Sequence, residues 1–458
     1  MTDCNKSVFF FSQNYGKNRY MENEKTNEKV TMEKIESLAK RRGFIYRGSE
    51  IYGGLAGTWD YGPLGIALKK NIKDMWWKRF VEDRSDMYGI DAAILMNPKV
   101  WESAGHVATF TDPLVECEKC KKRFRSDMTE GKKCPDCGGK LGEERQFNMM
   151  FKTTAGAVED SASVVYLRPE TAQGMFVNFK NIVDSFHPRM PFGMGQIGKA
   201  FRNEITPRDF IFRTREFEQM EIEYFVKESE WNSQFEKWRS EMVDWMNDIG
   251  LQKKDIHELE VAPEDLAHYS KRTIDFEFDF PFGRKELYGI AYRTDFDLTS
   301  HQNGSSVTLE YIDDVNKEKY IPHVIEPTFG VDRTILAILC TSYDEEEVEG
   351  EVRSVLRLPK KLAPIKVAIL PLSKKEELSV VAQPIFEMLR KEYVCQYDET
   401  QSIGKRYRRQ DEIGTPYCIT VDFESINDRA VTVRDRDTMK QDRIAIDKLS
   451  EYLKEKFL

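Results

Sequence analysis

In the segment T-I-D-F-E-F-D-F-P-F (273–282), Ile274, Phe276, Phe278 and Phe280 fall on one face, and Asp275, Glu277 and Asp279 on the other. A period of two, apolar on one side and acidic on the other, is that of a half-buried antiparallel strand. A chain carrying it must build a sheet with one dry side and one polar side. Helical stripes supply the dry side. From Met32, the residues Ile35, Leu38 and Ala39 share a face, and Gly43 offers a left-handed stop. A second stripe follows Pro63, with Leu64, Leu68, Ile72, Met75 and Trp76. A third starts near Glu230, with Phe235, Trp238, Met242, Trp245 and Ile249, and ends at Gly250. The body of the chain, 32–345, therefore reads as an α+β domain with an antiparallel sheet.

At 458 residues the chain needs more than one domain. Its net charge of −9 excludes coating of nucleic acid by bulk charge but not a local basic surface. No apolar run approaches a membrane span, and Val8–Phe11 is too short for a signal peptide, so the expected location is the cytoplasm with no membrane partner. Residues 1–31 are polar and unpatterned and read as a disordered extension, with Met21 and Met32 as alternative starts. The acidic run Asp344–Glu351, with Pro359 and Pro364 beyond it, marks a boundary and a linker at 346–362. From Ile365 the pattern becomes strand, helix, strand, helix, strand, a compact α/β domain over 363–458.

G-M-G-Q-I-G-K-A (193–200) fits two nucleotide-loop patterns and satisfies neither. Ala200 stands where a phosphate loop needs Ser or Thr, and a turn at Pro207 replaces the required helix. The glycines are expected to let backbone pass close to a neighbour. C-E-K-C (117–120) and C-P-D-C (134–137) pair two C-x-x-C units within 115–145. Four thiolates at Cys117, Cys120, Cys134 and Cys137 can close a tetrahedral structural zinc site, a small zinc-ribbon-like insert. Two disulfides or a metal-free ribbon are the competing readings. Cys4, Cys340, Cys395 and Cys418 have no such spacing. In 402–416, Lys405, Arg406, Arg408 and Arg409 lie within one or two helical turns, which is either a solvated helix face or a cationic surface.

The segment 201–225 reads as two strands around a polar loop. Arg202 and Glu204 share a face of the first. Phe217, Gln219, Glu221 and Glu223 share a face of the second, with Met220, Ile222 and Tyr224 opposite. A surface hairpin with solvated charges gives the same pattern. Its neighbours decide the matter. F-R-N-E with F-R-T-R-E-F resembles motif 2 of the class II aminoacyl-tRNA synthetases. E-P-T-F-G-V-D-R (326–333) resembles motif 3, and D-A-A-I-L-M-N-P (91–98) resembles motif 1, whose proline lies at the dimer interface. R-P-E-T-A-Q-G-M-F (168–176) and G-S-E-I-Y-G-G-L-A-G-T-W-D-Y-G-P-L-G (48–65) are similar to the dimeric glycyl-tRNA synthetases in particular. The match runs from about residue 33 to the C-terminus.

This resemblance implies a catalytic domain, a C-terminal class IIa anticodon-binding domain and a homodimer that joins glycine to tRNA(Gly) through a glycyl-adenylate, releasing AMP and pyrophosphate. A carboxylate is already an anionic nucleophile, so positioning and charge stabilisation suffice without a general base. ATP with Mg²⁺ would be held by Arg202, Asn203 and Glu204, by Phe212, Arg213, Thr214, Arg215, Glu216 and Phe217, by Glu286 and Leu287, and by Gly330, Val331, Asp332 and Arg333. Of these, Arg202 would meet the α-phosphate, Arg333 the γ-phosphate and Phe217 the adenine, and Glu286 and Glu326 would link to magnesium. Glycine would be held by Arg125, Glu170, Phe217, Glu218, Gln219, Met220, Glu221, Arg293, Glu326, Pro327, Thr328, Phe329 and Gly330. Thr328 departs from the serine expected in relatives. Gly289 and Ala291 share parity with Arg293, as a pocket without a side-chain compartment requires. Lys405, Arg406, Arg408 and Arg409 would track tRNA phosphates. The rival readings are a synthetase-like accessory protein, which would lack motif arginines, and a ligase for serine, threonine or proline.

Overall fold

The computed structural model describes residues 30–129, 131–157 and 163–457. Up to residue 29, the stretch expected to be disordered, Met21 included, lies outside the described residues. Val30 and Thr31, placed with it, belong to the fold instead. Thr31 Oγ1 accepts the Lys34 N–H at 3.3 Å and caps the helix Met32–Arg42, while Val30 packs on the core. That helix ends at Gly43, whose φ of 75° is the left-handed cap.

Seven strands build the central sheet: β1 (Met87–Gly89), β2 (Phe192–Phe201), β3 (Glu216–Val226), β4 (Ile256–Glu260), β5 (Arg272–Phe280), β6 (Gly283–Thr294) and β7 (His323–Gly330). Their order is β4-β5-β6-β7-β3-β2-β1, antiparallel throughout except for β1 beside β2. The alternation of β5 is realised: Ile274, Phe276, Phe278 and Phe280 are all buried, whereas Asp275, Glu277 and Asp279 are half-buried on the other face. Met220, Ile222 and Tyr224 join them on the dry side, against the helices Pro63–Trp77, Trp231–Asp248 and Val331–Ser342. Trp76, Trp238, Trp245, Phe80 and Phe329 meet there with ring centroids 5.4–6.5 Å apart. Burial of such side chains stabilises by about 1.5–3 kcal/mol each. On the polar side, the helix Ala172–Phe186 covers one end of the sheet through Phe176 and Phe179. The rest of that face is left for a site. The run 193–200 is strand throughout, so both nucleotide-loop readings fall away.

A three-stranded sheet, with Thr111–Glu116 between Arg123–Arg125 and Arg145–Asn148, carries the cysteine insert. The C-terminal unit orders Cys395–Tyr397, Val367–Pro371, Tyr417–Val421, Ala430–Asp435 and Gln441–Ala445 in one sheet over its own core. The segment expected as a linker is instead an antiparallel hairpin, Tyr343–Val348 with Glu351–Leu356. Its acidic residues are matched by cations of its own second strand and its exit and by one from the first helix. Glu345 meets Lys34 at 2.8 Å, Asp344 meets Arg357 at 3.1 Å, and Glu346 meets Arg357 at 3.0 Å as well as Arg353.

Candidate active site

Strand parity assembles the site on the polar face. Along β3, Phe217, Gln219, Glu221 and Glu223 lie opposite Ala200, Gly198, Gln196 and Met194 of β2. On the other side Glu221 faces Thr328, and Gln219 faces Gly330. Beyond β7, Gly289 is paired with Thr328 and Ala291 with Glu326. Gly198 fulfils the expected close approach: a Cβ there would lie 2.2 Å from Arg168 Nη2. Arg168 uses that space to donate to Lys199 O and Ala92 O, at 2.6 and 2.7 Å.

Arg293 is fully buried at one end of this face. Nε and Nη2 donate to Asp297 at 2.7 and 2.8 Å, and Nη1 donates to Glu326 at 2.9 Å. Glu170 Oε1 lies 4.0 Å away, and the Tyr269 ring stacks on the guanidinium at 3.7 Å. Glu221 accepts from Thr328 at 3.0 Å, from Gln219 at 3.2 Å and from Thr171. The hydroxyl at 328 thus serves Glu221. Carboxylate oxygens of Glu221, Glu223 and Glu326 all lie within 4.8 Å of one another, and neither oxygen of Glu223 has a partner among the described residues.

The electrostatics follow from burial. Burial and the negative charges of Glu221 and Glu170 outweigh Arg293 and push Glu326 up to about 8. Burial and Glu170 raise Glu221, and burial with Glu326 raises Glu223 well above its ordinary value. Glu170 goes the other way. It too is buried, but His106 at 3.3 Å, Arg293 and a 3.0 Å hydrogen bond from Gln173 hold it well below the usual carboxylate range. The site is a cage short of positive charge.

At the other end, Arg202 lies between the Phe110 and Phe217 rings, at 5.5 and 5.3 Å, with Nε donating to Pro169 O at 3.1 Å. Arg213 pairs with Glu204 at 3.4 Å, and Arg215 donates to Glu204 O and Ala56 O. The Asn203 N–H donates to Met149 O, and the Thr214 hydroxyl to Glu216 O. Arg333 meets the Glu286 carboxylate at 3.3 Å and the Phe212 ring at 4.5 Å. Asp275 is a further carboxyl here, pushed up to about 8 by burial, Glu286 and Glu277.

Several expected site residues are placed differently. Met220, Leu287, Phe329 and Val331 are in the dry core, so their side chains cannot reach a polar ligand. Glu218 and Asp332 face the same side and serve Lys69, at 2.9 and 3.6 Å. Asp332 also accepts the Glu218 N–H. Glu216 is exposed and paired with Lys199. Glu286 and Glu326 do not lie together. Ala291, not Glu286, is opposite Glu326, so five residues, about 16 Å of strand, separate the two positions. Arg125 is buried in the insert sheet against Asp112 and Asp127, at 2.7 and 2.8 Å, near Glu204 rather than among the pocket glutamates.

In the insert, Cys117 and Cys137 Sγ are 3.6 Å apart, and Cys120 and Cys134 Sγ 3.7 Å. Metal legs of ~2.3 Å give tetrahedral edges of about 3.8 Å, whereas a disulfide needs ~2.05 Å. The spacing fits four ligands of one ion, and all four cysteines are free thiols. Cys340 and Cys418 are buried thiols and Cys395 a half-buried one, each pushed up to about 12 chiefly by burial, and Cys4 lies outside the described residues.

The C-terminal cations are the largest departure. Arg406 is fully buried, donating to Pro371 O at 2.5 Å, Asp398 O at 3.0 Å and Leu372 O at 3.1 Å. Arg409 is paired with Asp398 at 2.5 Å, and Arg408 lies 3.8 Å from Glu351. Lys405 alone of the four is exposed. Strand ends converging on this helix recruit its arginines as internal donors.

Sequence reasoning missed His106, Phe110, Thr171, Gln173 and Asp297, and left Glu223 without a role. Asp297 follows Arg293 by four residues across a strand end, a signal that could have been read. His106 and Phe110 carry none, because their partners are remote in the chain.

Residues 151–342 match the family described as tRNA synthetase class II core domain (G, H, P, S and T), and residues 366–456 match the anticodon binding domain. The hairpin 343–356 falls between them. Among curated proteins, the chain is 54% identical to the glycine–tRNA ligase of Acetivibrio thermocellus, covering 94% of this chain and 99% of that protein. It is 54% identical to that of Caldanaerobacter subterraneus subsp. tengcongensis, over 93% and 99%, and 52% identical to that of Bacillus cereus, also over 93% and 99%.

Proposed function

This chain belongs to the class II glycine–tRNA ligases, and on that premise we propose which of its residues do the work. It activates glycine with ATP to glycyl-adenylate and pyrophosphate, then passes the glycyl group to tRNA, releasing AMP. In our reading Arg202 neutralises charge building on the α-phosphate, Arg333 takes the γ-phosphate end, and Phe217 stacks on adenine. Magnesium enters as part of the nucleotide substrate, with Glu286 as the nearest carboxylate to Arg333. The amino group of glycine is received by Glu170, Glu221 and Glu326.

The observation that carries the substrate assignment is the caged Arg293 beside Gly289 and Ala291. Charge-deficient carboxylates call for a cation, and Gly289 and Ala291 let a small substrate approach the strand backbone closely. In this reading a methyl added to the substrate meets the pocket wall. Pyrophosphate exchange should therefore run with glycine and not with L-alanine or serine. Glu221→Gln should raise the glycine KM without admitting alanine. Comparable exchange with alanine would sink the pocket assignment.

Cys117, Cys120, Cys134 and Cys137 would hold zinc, which when bound cross-links the insert and supplies no reaction chemistry. Metal analysis should find about one zinc per chain, and four freely titrating thiols with no metal would remove it. The homodimer, with motif 1 and the edge strand β1 at its interface, and a cytoplasmic location belong to the same reading. Among the described residues no helix is long and apolar enough to cross a membrane.

A further inference from the structure

One short element touches both halves of the site. Gly105, with φ of 84°, starts the turn His106–Thr109, and Phe110 ends it. His106 is 6% exposed, with its ring edge-on to Trp101 at 5.4 Å. Its Nε2 lies 3.3 Å from Glu170 Oε2, and its Nδ1 is buried without a partner among the described residues. Leaving a buried ring nitrogen unpaired costs about 1–3 kcal/mol, so this imidazole is held for its one carboxylate contact. Four residues on, the Phe110 ring faces the Arg202 guanidinium at 5.5 Å, with Phe217 at 5.3 Å. The turn is also braced from behind. Asn148 Nδ2 donates to His106 O at 3.3 Å and Val107 O at 3.0 Å. Met149 N donates to Phe110 O at 3.0 Å, and Met149 O accepts the Asn203 N–H at 2.7 Å, next to Arg202 itself.

We propose that the turn His106–Thr109 is a positioning element for both reacting partners. His106 orients the Glu170 carboxylate at the amino-group end, Phe110 orients the Arg202 guanidinium at the phosphate end, and one rigid turn sets the two relative to each other. The proposal rests on the assignment of Glu170 to the amino group and Arg202 to the phosphate. Neither His106 nor Phe110 takes part in the chemistry; each acts through its partner.

The two halves separate kinetically in pyrophosphate exchange by the full chain. His106→Phe keeps the packing on Trp101 but removes the ring nitrogen 3.3 Å from Glu170, and should raise the glycine KM tenfold or more with the ATP KM within twofold. His106→Gln restores an N–H donor and should recover the glycine KM to within threefold of wild type. Phe110→Leu should lower kcat tenfold or more with the glycine KM within twofold. A purely structural role would instead raise both KM values together and would not respond to glutamine. Equal effects on the two KM values, or a His106→Gln no better than His106→Phe, would overturn the proposal. Should His106→Phe fail to fold, Phe110→Leu carries the test, and an unchanged kcat overturns it. Glu170→Gln separates the premise: an unchanged glycine KM there removes the assignment of Glu170 itself, whereas a raised one with a silent His106→Phe removes only this inference.

Discussion

Arg293 and Arg353 are both buried, and each has its Nε on an aspartate at 2.7 Å, Asp297 in one case and Asp411 in the other. Their surroundings diverge from there. Asp411 is shared with Arg434 at 2.9 Å, and Arg353 also takes Glu346 and the Arg436 carbonyl, so two arginines balance two carboxylates. Around Arg293 one guanidinium serves Asp297 and Glu326, with Glu170 at 4.0 Å and the raised Glu221 and Glu223 close by. A balanced buried cluster is a joint. An unbalanced one is a receptor, since each uncompensated carboxylate gains only when a cation arrives.

Exchanging the arginines should separate the two roles most sharply. Arg353→Met leaves Asp411 to Arg434 and Glu346 to Arg357 and should cost about 1–3 kcal/mol in denaturant unfolding, with exchange kinetics within about twofold of wild type, as no site residue is touched. Arg293→Met should cut glycine activation on the order of 100-fold (about 2.7 kcal/mol) and, because it leaves the buried Asp297 with the neutral Gln173, should cost about 3–5 kcal/mol of stability as well. An Arg353→Met enzyme that keeps its stability but loses exchange would reverse the distinction. Arg202→Ala extends the contrast to a guanidinium facing its ligand, and should lose about 3–4 kcal/mol of transition-state stabilisation in adenylate formation while circular dichroism stays native.

The receptor should also titrate. An ammonium favours ionised partners, so a Glu326 carboxyl pushed up to about 8 in the empty pocket must fall when glycine binds, and binding releases a proton. Affinity is then full above pH 8 and declines below it, by about tenfold per unit for one proton. The glycine KM measured from pH 8.5 to 6.5 should rise accordingly while the ATP KM stays level, and a flat profile would show that the cluster is already ionised. The smallest effect belongs to Lys405→Ala. Loss of this one exposed cation should raise the tRNA KM about two- to threefold and reduce its salt dependence by about one charge, with exchange untouched.

Parity made much of the catalytic sheet legible in the sequence: which face of β3 is dry, which carries Phe217 and the glutamates, and that Gly289 and Ala291 flank Arg293. Parity speaks only within an element. Lys34 and Glu345 are 311 residues apart, so the acidic run looked like a solvated linker until its cations were in place. For the same reason Arg406 looked like a surface cation, because the carbonyls of Pro371, Leu372 and Asp398 that consume it come from other elements. Phe110 and His106 went unread because nothing in local spacing announces an aromatic that touches a remote arginine or a histidine that touches a remote glutamate.

The hairpin 343–356 has a mechanical consequence. It is pinned to the first helix by Lys34–Glu345 and to the C-terminal unit by Arg353–Asp411, while Arg41 and Arg42 reach Glu412 directly and Asn71 Nδ2 donates to the carbonyls of Leu362 and Ala363. With so many cross-ties the junction behaves as the rivet of a caliper set to one gauge. A load applied to either unit is therefore carried across the junction through several separate ties rather than through a single strand of backbone.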